Sequence, residues 1–407
     1  MALVCLCRGN FYWPPHTTIL FCSIFLDKIV LDTLKSRYHR SAPLGMKTKL
    51  HENQLNLLRH LARFQLLSYA DCLTMLDMER TANRKALSYA FRPLTKNRYV
   101  SKQRDGCVSI LAKGRALFPE LVPLISTGGG AAERRRVMEV SRMAALMERN
   151  GVPAAGEIQE TAMPYFIPSA CWRRITPGIL STTRFTGMLI CGEERLAVYD
   201  IGDGRMEWQG RAEGSLFHPR YGTYEVEATG MLLVCRDGLR NSIAEQIIRY
   251  TMWQRRQLLR DHRPSQRERP VRWSRAPIRL RKLYGRVYLT TPTQFRRDLN
   301  HILYLPHEIE ARRGEGVLLH DPAQGDYERD SYRGFVCYAT DLLKYVYFFS
   351  AVRALMRILD DPNIPSPSLR YEIYIQERDE ELLALYPDCL DLEGLNIYVY
   401  QLEENPE

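Results

Sequence analysis

Between residues 46 and 118 the apolar positions recur first with a helical period and then with a strand period. From Glu52 to Gln65, residues Leu55, Leu58, Leu61 and Ala62 fall on one side of a helix. Ser68 then stands where an N-cap is wanted, ahead of a short second helix, Tyr69 to Leu76. A third helix is expected from Asn83 to about Asn97, with Leu87, Ala90, Phe91 and Leu94 inward and Pro93 bending or loosening its last turn. Two strand-like runs, Tyr99 to Gln103 and Val108 to Ala112, flank Arg104-Asp105-Gly106, whose Asp-Gly pair is a hairpin signal. Three helices followed by a hairpin predict a winged helix. This is a helix-turn-helix variant whose third helix enters the major groove of double-stranded DNA while the wing lies along the backbone.

Downstream the pattern changes. Leu121 to Ala132, with Gly128-Gly129-Gly130, reads as a flexible linker. Glu133 to Asn150 is a helix whose Val137, Val140, Met143, Ala144 and Met147 stripe suits docking on either domain or on a second copy in a homodimer. A second domain starts near Val152, with strands expected at Thr186 to Cys191, Leu196 to Ile201 and Arg205 to Arg211. Two strand-loop-helix units follow: Met231 to Cys235 before a helix from Asn241 to Leu259, and Arg286 to Thr290 before a helix from Thr293 to Leu303. Further strands are expected at Gly316 to His320, Arg333 to Tyr338, Tyr371 to Gln376 and Asn396 to Gln401. The fold class is therefore α+β / α/β, a winged helix followed by a mixed α/β domain. Its parts are an extension over 1–45, a winged helix over 46–118, a linker and connecting helix over 119–151, the α/β domain over 152–359 and an acidic segment over 360–407.

Length and composition agree with two domains plus appendages. The chain has 407 residues, 45% hydrophobic and 26% charged, with a net charge of +10. That charge is uneven. Residues 249–297 hold fifteen Lys or Arg against Asp261 and Glu268, whereas 360–407 hold thirteen Asp or Glu against Arg370 and Arg378. The ten cysteines are scattered without a C-x-x-C pair and read as reduced thiols, which with the lack of a signal cleavage site points to the cytoplasm. Thr17 to Leu31 is apolar but interrupted by Asp27 and Lys28, and translation is expected to start at Met46, making the upstream piece a start-site artefact. Leu342 to Leu359 carries Lys344, Arg353 and Arg357, so it reads as a packed helix and no membrane association is expected.

The candidate chemistry lies on the third helix. Arg84, Lys85, Ser88, Tyr89, Arg92 and Lys96 alternate with its apolar positions, and Lys102 and Arg104 lie in the wing. Lys and Arg neutralise phosphate and release counterions, while Ser and Tyr hydrogen-bond backbone or base edges. The competing reading is a solvated helix face. Arg249 to Arg286, whose arginines alternate with Trp253, Trp273 and Tyr284, is a second basic stretch that suits phosphate and base stacking, with a solvated loop or contact with the acidic tail as its alternatives.

The run Leu50-His51-Glu52-Asn53-Gln54, then Leu61 to Phe64, Leu67 to Leu76, Asn83 to Leu94 and Ala112-Lys113-Gly114-Arg115, resembles the opening domain of the replication-relaxation family. Val287 to Thr293 resembles the strand-to-helix turn near the end of that family's second domain. The resemblance implies a protein of plasmids, conjugative elements and phages, whose second domain is related to restriction-endonuclease folds. Such a nuclease needs carboxylates for Mg²⁺ and a lysine beside the attacking water. Here no lysine occurs between Lys113 and Lys282, and the nearest substitute is Asp200 or Asp203 with Glu207 and Gln209. Asp200 to Gly204 also reads as a turn.

The expected function is DNA binding by a mobile genetic element in replication, transfer or transcription control, with a non-catalytic α/β domain and no cofactor or metal. The alternatives are a divergent Mg²⁺-dependent nuclease and an adaptor that binds a relaxase or replication component.

Overall fold

The computed structural model describes residues 50–76, 84–103, 105–126, 130–161, 163–202, 210–217, 227–258, 285–302, 335–338, 371–376, 379–383 and 395–400. It is a mixed α+β structure in which a three-stranded antiparallel sheet and a five-stranded mixed sheet are each packed against helices.

The first unit contains α1 (Glu52–Phe64), β1 (Leu66–Ser68), α2 (Tyr69–Leu76), α3 (Arg84–Lys96), β2 (Val100–Lys102), β3 (Cys107–Ile110) and α4 (Ala112–Arg115). Its sheet order is β1-β3-β2, both pairs antiparallel. Leu57, Leu58, Leu61, Leu73, Phe91, Leu94 and Val108 form the core between helices and sheet.

Local side-chain bonds explain why these segments stop and start where they do. Ser68 Oγ accepts the Asp71 N–H at 3.1 Å, capping α2 as its position predicts. Asn53 Nδ2 donates to the Leu76 carbonyl at 2.8 Å, satisfying the end of the same helix. Gln54 accepts the His51 N–H at 3.0 Å and donates to the Ala90 carbonyl at 2.7 Å. The Asn53-Gln54 pair thus holds α2 and α3 against α1. Helix α3 runs through Pro93 to Lys96, so the proline does not end it, and Gln54 supports a carbonyl in the turn that the proline ring crowds.

Helix α5 (Ala131–Arg149) lies between the first unit and the large sheet. Val137, Val140, Met143, Ala144 and Met147 pack in one cluster with Phe64 and Leu66 of the first unit and Leu189, Val198, Leu232 and Tyr288 of the sheet. The stripe read as suited to a domain or a second copy is therefore covered within the chain. His60, buried on α1, contacts Glu148 Oε2 at 2.7 Å and Ser141 Oγ at 2.9 Å, fixing α1 to α5. Part of the expected flexible linker is also packed: the Leu124 N–H donates to the Arg63 carbonyl at 2.8 Å and Ile125 is buried.

The large sheet has the order β4-β5-β6-β7-β8, from β4 (Tyr165–Pro168), β5 (Gly187–Cys191), β6 (Glu194–Gly202), β7 (Gly230–Cys235) and β8 (Arg286–Thr290). β4, β5 and β6 pair antiparallel, whereas β6, β7 and β8 pair parallel. Helix α6 (Ser169–Ile175) follows β4, and α7 (Gly210–Gly214) and α8 (Arg240–Leu258) lie in the parallel crossovers, with α9 over 295–302 after β8. Alternate residues serve opposite faces: Leu196 and Val198 face the α5 cluster, while Ala197 and Tyr199 are buried in the other register. Being covered on both faces, β5 and β7 read as unbroken apolar runs.

Two expectations need correction here. Asp200, Ile201 and Gly202 are the end of β6, with a register irregularity between Asp200 and Gly202, and not a turn. The end of the strand expected over Arg205 to Arg211 enters α7 at Gly210; residues 203–209, including Asp203, Glu207 and Gln209, lie outside the described residues.

A third sheet, of order β11-β10-β9, is parallel and joins β9 (Phe335–Tyr338), β10 (Tyr371–Gln376) and β11 (Leu395–Tyr400). The acidic segment over 360–407 thus contributes β10, which pairs with residues 335–338, and β11, which pairs with β10. Helix α10 (Glu380–Leu383) follows β10, and next to it Asp379 forms a buried ion pair with Arg240 of α8. Residues 1–49, residues 259–284 of the basic stretch, and the elements expected at Gly316 to His320 and Leu342 to Leu359 lie outside the described residues.

Candidate nucleic-acid interface

Helix α3 divides cleanly into two sides. Leu87, Phe91 and Leu94, at intervals of four and three, turn toward α1 and α2, and the last two are buried. Lys85, Tyr89, Arg92 and Lys96, at intervals of four, three and four, share the other side and are exposed. Tyr89 is 61% exposed, high for an aromatic side chain. The Arg92 guanidinium lies 4.5 Å from the centre of its ring, a cation–π contact that holds the arginine along the helix surface. Helix α3 contains no Asp or Glu. Arg84 is the first residue of the helix.

Ser88 and Lys102 are brought together by Tyr69, a residue that the sequence pattern did not single out. The Tyr69 hydroxyl donates to Ser88 Oγ at 3.4 Å, and Lys102 Nζ sits 3.6 Å above its ring. Its N–H donates to the Gly106 carbonyl at 2.9 Å, and its ring meets Phe91 edge-on at 5.0 Å. One tyrosine therefore joins α2, α3 and the β2–β3 hairpin, and it sets the angle between hairpin and helix. Ser88, half-buried, is less available than the exposed stripe residues.

The hairpin turn is closed by the Gly106 N–H to Gln103 carbonyl bond at 3.1 Å, and Gly106 takes φ +81°, where only glycine is unstrained. Asp105 accepts the Cys107 N–H at 3.0 Å, and this bond, with the nearby Arg134, holds its carboxyl below the ordinary range. Arg134 of α5 reaches both Asp105, at 2.9 Å, and Gln103. The acidic group at the hairpin tip is thus already paired from within the chain. Arg104 lies outside the described residues.

Two further features border the face. Arg98 has φ +58° in the turn after α3, where its N–H bonds the Thr95 carbonyl and the Tyr99 N–H bonds the Leu94 carbonyl. This is the helix-ending position that normally favours glycine, here held by an exposed arginine. Gly114 lies against the Tyr99 carbonyl, where an added Cβ would come within 2.4 Å. Its neighbour Lys113 sits 4.9 Å over the Tyr99 ring.

In the large sheet, the carboxylates have internal partners. Asp200 Oδ2 is paired with Arg142 of α5, and Oδ1 accepts the Gly202 N–H at 3.1 Å. Glu213, fully buried on α7, accepts from the Tyr199 hydroxyl at 2.6 Å and the Arg184 N–H at 2.9 Å. Burial pushes its carboxyl above the ordinary range, against the lowering effect of those bonds and of Arg136. Glu213 was not among the sequence candidates. Among the described residues, no three His, Cys, Asp or Glu side chains converge as a metal site, and no helix is long and apolar enough to cross a membrane.

No family of known proteins, curated protein or solved structure is detectably similar to this chain.

Proposed function

We propose that the chain is a double-stranded-DNA-binding protein whose first unit acts as a winged helix, with α3 in the major groove and the β2–β3 hairpin as the wing. The observation that carries this reading is the exposed stripe Lys85, Tyr89, Arg92 and Lys96, set on a helix without acidic residues. Four aligned positions of this kind match a polyanion better than a protein surface, because each cation placed on a phosphate releases a counterion. From the motif-level resemblance read in the sequence of α1 to α4, we further propose a role in replication, transfer or transcription control of a mobile genetic element, in the cytoplasm. The five-stranded sheet, with an antiparallel hairpin leading into parallel strands, supports the relation to restriction-endonuclease folds that this resemblance implies.

The α/β region serves this function as a non-catalytic scaffold. Asp200, the strand carboxylate closest to a nuclease pattern, has one oxygen on Arg142 and the other on a backbone N–H, so metal binding would have to break both interactions. The test is incubation of the full chain with labelled duplex in Mg²⁺ or Mn²⁺, reading binding and cleavage together. Binding without cleavage supports the proposal. Cleavage that disappears in both Asp200→Ala and Glu207→Ala replaces it with the divergent nuclease. Neither binding nor cleavage, with a relaxase or replication component recovered instead, favours the adaptor.

A further inference from the structure

We propose that Arg92, braced on Tyr89, reads a guanine in the major groove, while Lys85 and Lys96 bind phosphates on either side; this rests on α3 being the DNA-facing helix. At a rise of about 1.5 Å per residue, Lys85 and Lys96 are separated by about 16 Å along the helix axis. In a straight helix laid along the groove, the two ends leave the curving floor first, which brings Lys85 and Lys96 toward the phosphates of the groove walls. A straight helix meets a curving groove most deeply at the middle of its contact face, and Tyr89 and Arg92 are the middle of this stripe.

Of the polar side chains there, Ser88 is half-buried and bonded by Tyr69, and so is turned back toward the protein. Arg92 is exposed and carries a planar fork of N–H donors, which matches the paired O6 and N7 acceptors of guanine. An unrestrained arginine loses much side-chain entropy on binding. The Tyr89 ring, 4.5 Å from the guanidinium carbon, already restricts it before DNA arrives.

The experiment is selection of bound sites from randomised duplexes by the full chain and by Arg92→Lys, Tyr89→Leu and Lys96→Ala. Wild type is expected to enrich sites with guanine at one fixed position. Arg92→Lys keeps the charge but not the fork, so discrimination at that position should fall between about fivefold and 150-fold, with affinity for random duplex within about twofold. Tyr89→Leu should lose part of the same preference, and Lys96→Ala should weaken all sequences alike. Duplex binding with no fixed guanine, or a guanine preference that survives Arg92→Lys, overturns this inference and leaves the DNA-binding reading standing. A folded wild type that binds no duplex overturns both.

Discussion

Helix α3 contains no Asp or Glu and turns Tyr89, Arg92 and Lys96 outward, whereas around the five-stranded sheet Glu194, Asp200 and Glu213 each meet a partner inside the chain. The contrast is sharpest between two carboxyl groups. Asp105, exposed at the hairpin tip, is held below its ordinary range by a backbone N–H and Arg134; Glu213, buried beneath Tyr199, is raised by desolvation. The first unit turns Arg92 and Lys96 to solvent, and the sheet's carboxylates are engaged in its own packing. Helix α5 is common to both, since it carries Arg134 to the hairpin, Glu148 to His60 and Arg142 to Asp200.

The comparison breaks most visibly at Glu213. Glu213→Ala strands the buried Tyr199 hydroxyl and the Arg184 N–H, and should cost about 3 kcal/mol in chemical unfolding. DNA affinity per folded molecule should not change. If the loss is only a few tenths of a kcal/mol, the sheet does not depend on its internal polar bonds.

Gly114→Ala should disturb the first unit alone. Its Cβ would meet the Tyr99 carbonyl, a backbone atom that cannot swing away, and overpacking of this kind costs about 2 kcal/mol. Hydrogen exchange should quicken in β2 and β3 while β5 to β7 stay protected. Uniform acceleration would mean that the two units unfold as one.

At Arg98 the expected effects have opposite signs. The left-handed backbone costs a non-glycine residue about 1–2 kcal/mol. Glycine recovers that but loses about 0.4–1 kcal/mol through its freer unfolded chain. Arg98→Gly should therefore stabilise by roughly 0.5 kcal/mol while weakening DNA binding several-fold. Stabilisation with unchanged affinity would show that Arg98 does not touch DNA.

The smallest effect is in the pH dependence of stability. A raised Glu213 keeps its proton in the folded chain after the unfolded chain has lost it, so its contribution falls as pH rises from the unfolded value through the folded one. A lowered Asp105 works the other way: its contribution is complete above its unfolded value and disappears as pH falls through the folded one. Unfolding midpoints of Glu213→Gln and Asp105→Asn across the acid range should differ from wild type with opposite slopes. Slopes of the same sign would contradict the contrast between the two sites.

Helices with a long apolar stripe and strands bounded by turn signals were legible in the sequence. Tyr69–Leu76, Arg286–Thr290 and Tyr371–Gln376 have the expected limits, and α1, α5 and α8 differ by a residue or two. β1 was not, because three residues hold too little alternation to mark a strand. β4 was hidden for a different reason: its four residues are all buried, so no polar position punctuates them, and Pro168 argues against a strand interior. The stripe on α3 could be read from spacing. Tyr69 could not, since its role depends on Ser88, Lys102 and Gly106 meeting in space, and Arg98 gives no signal until its backbone angle is known.

Engagement of DNA by α3 is tested by the salt dependence of duplex binding by the full chain, compared with the Lys85→Ala, Arg92→Ala, Lys96→Ala triple variant. All three side chains are exposed, so the variant should keep the wild-type unfolding midpoint. Removing one phosphate-neutralising cation should reduce the slope of log affinity against log salt by about 0.9, and removing three by roughly 2.7 if Arg92 also neutralises backbone charge. If Arg92 faces a base instead, the reduction should be near 1.8, roughly the sum for the two lysines alone. A folded triple variant with the wild-type slope would contradict the account.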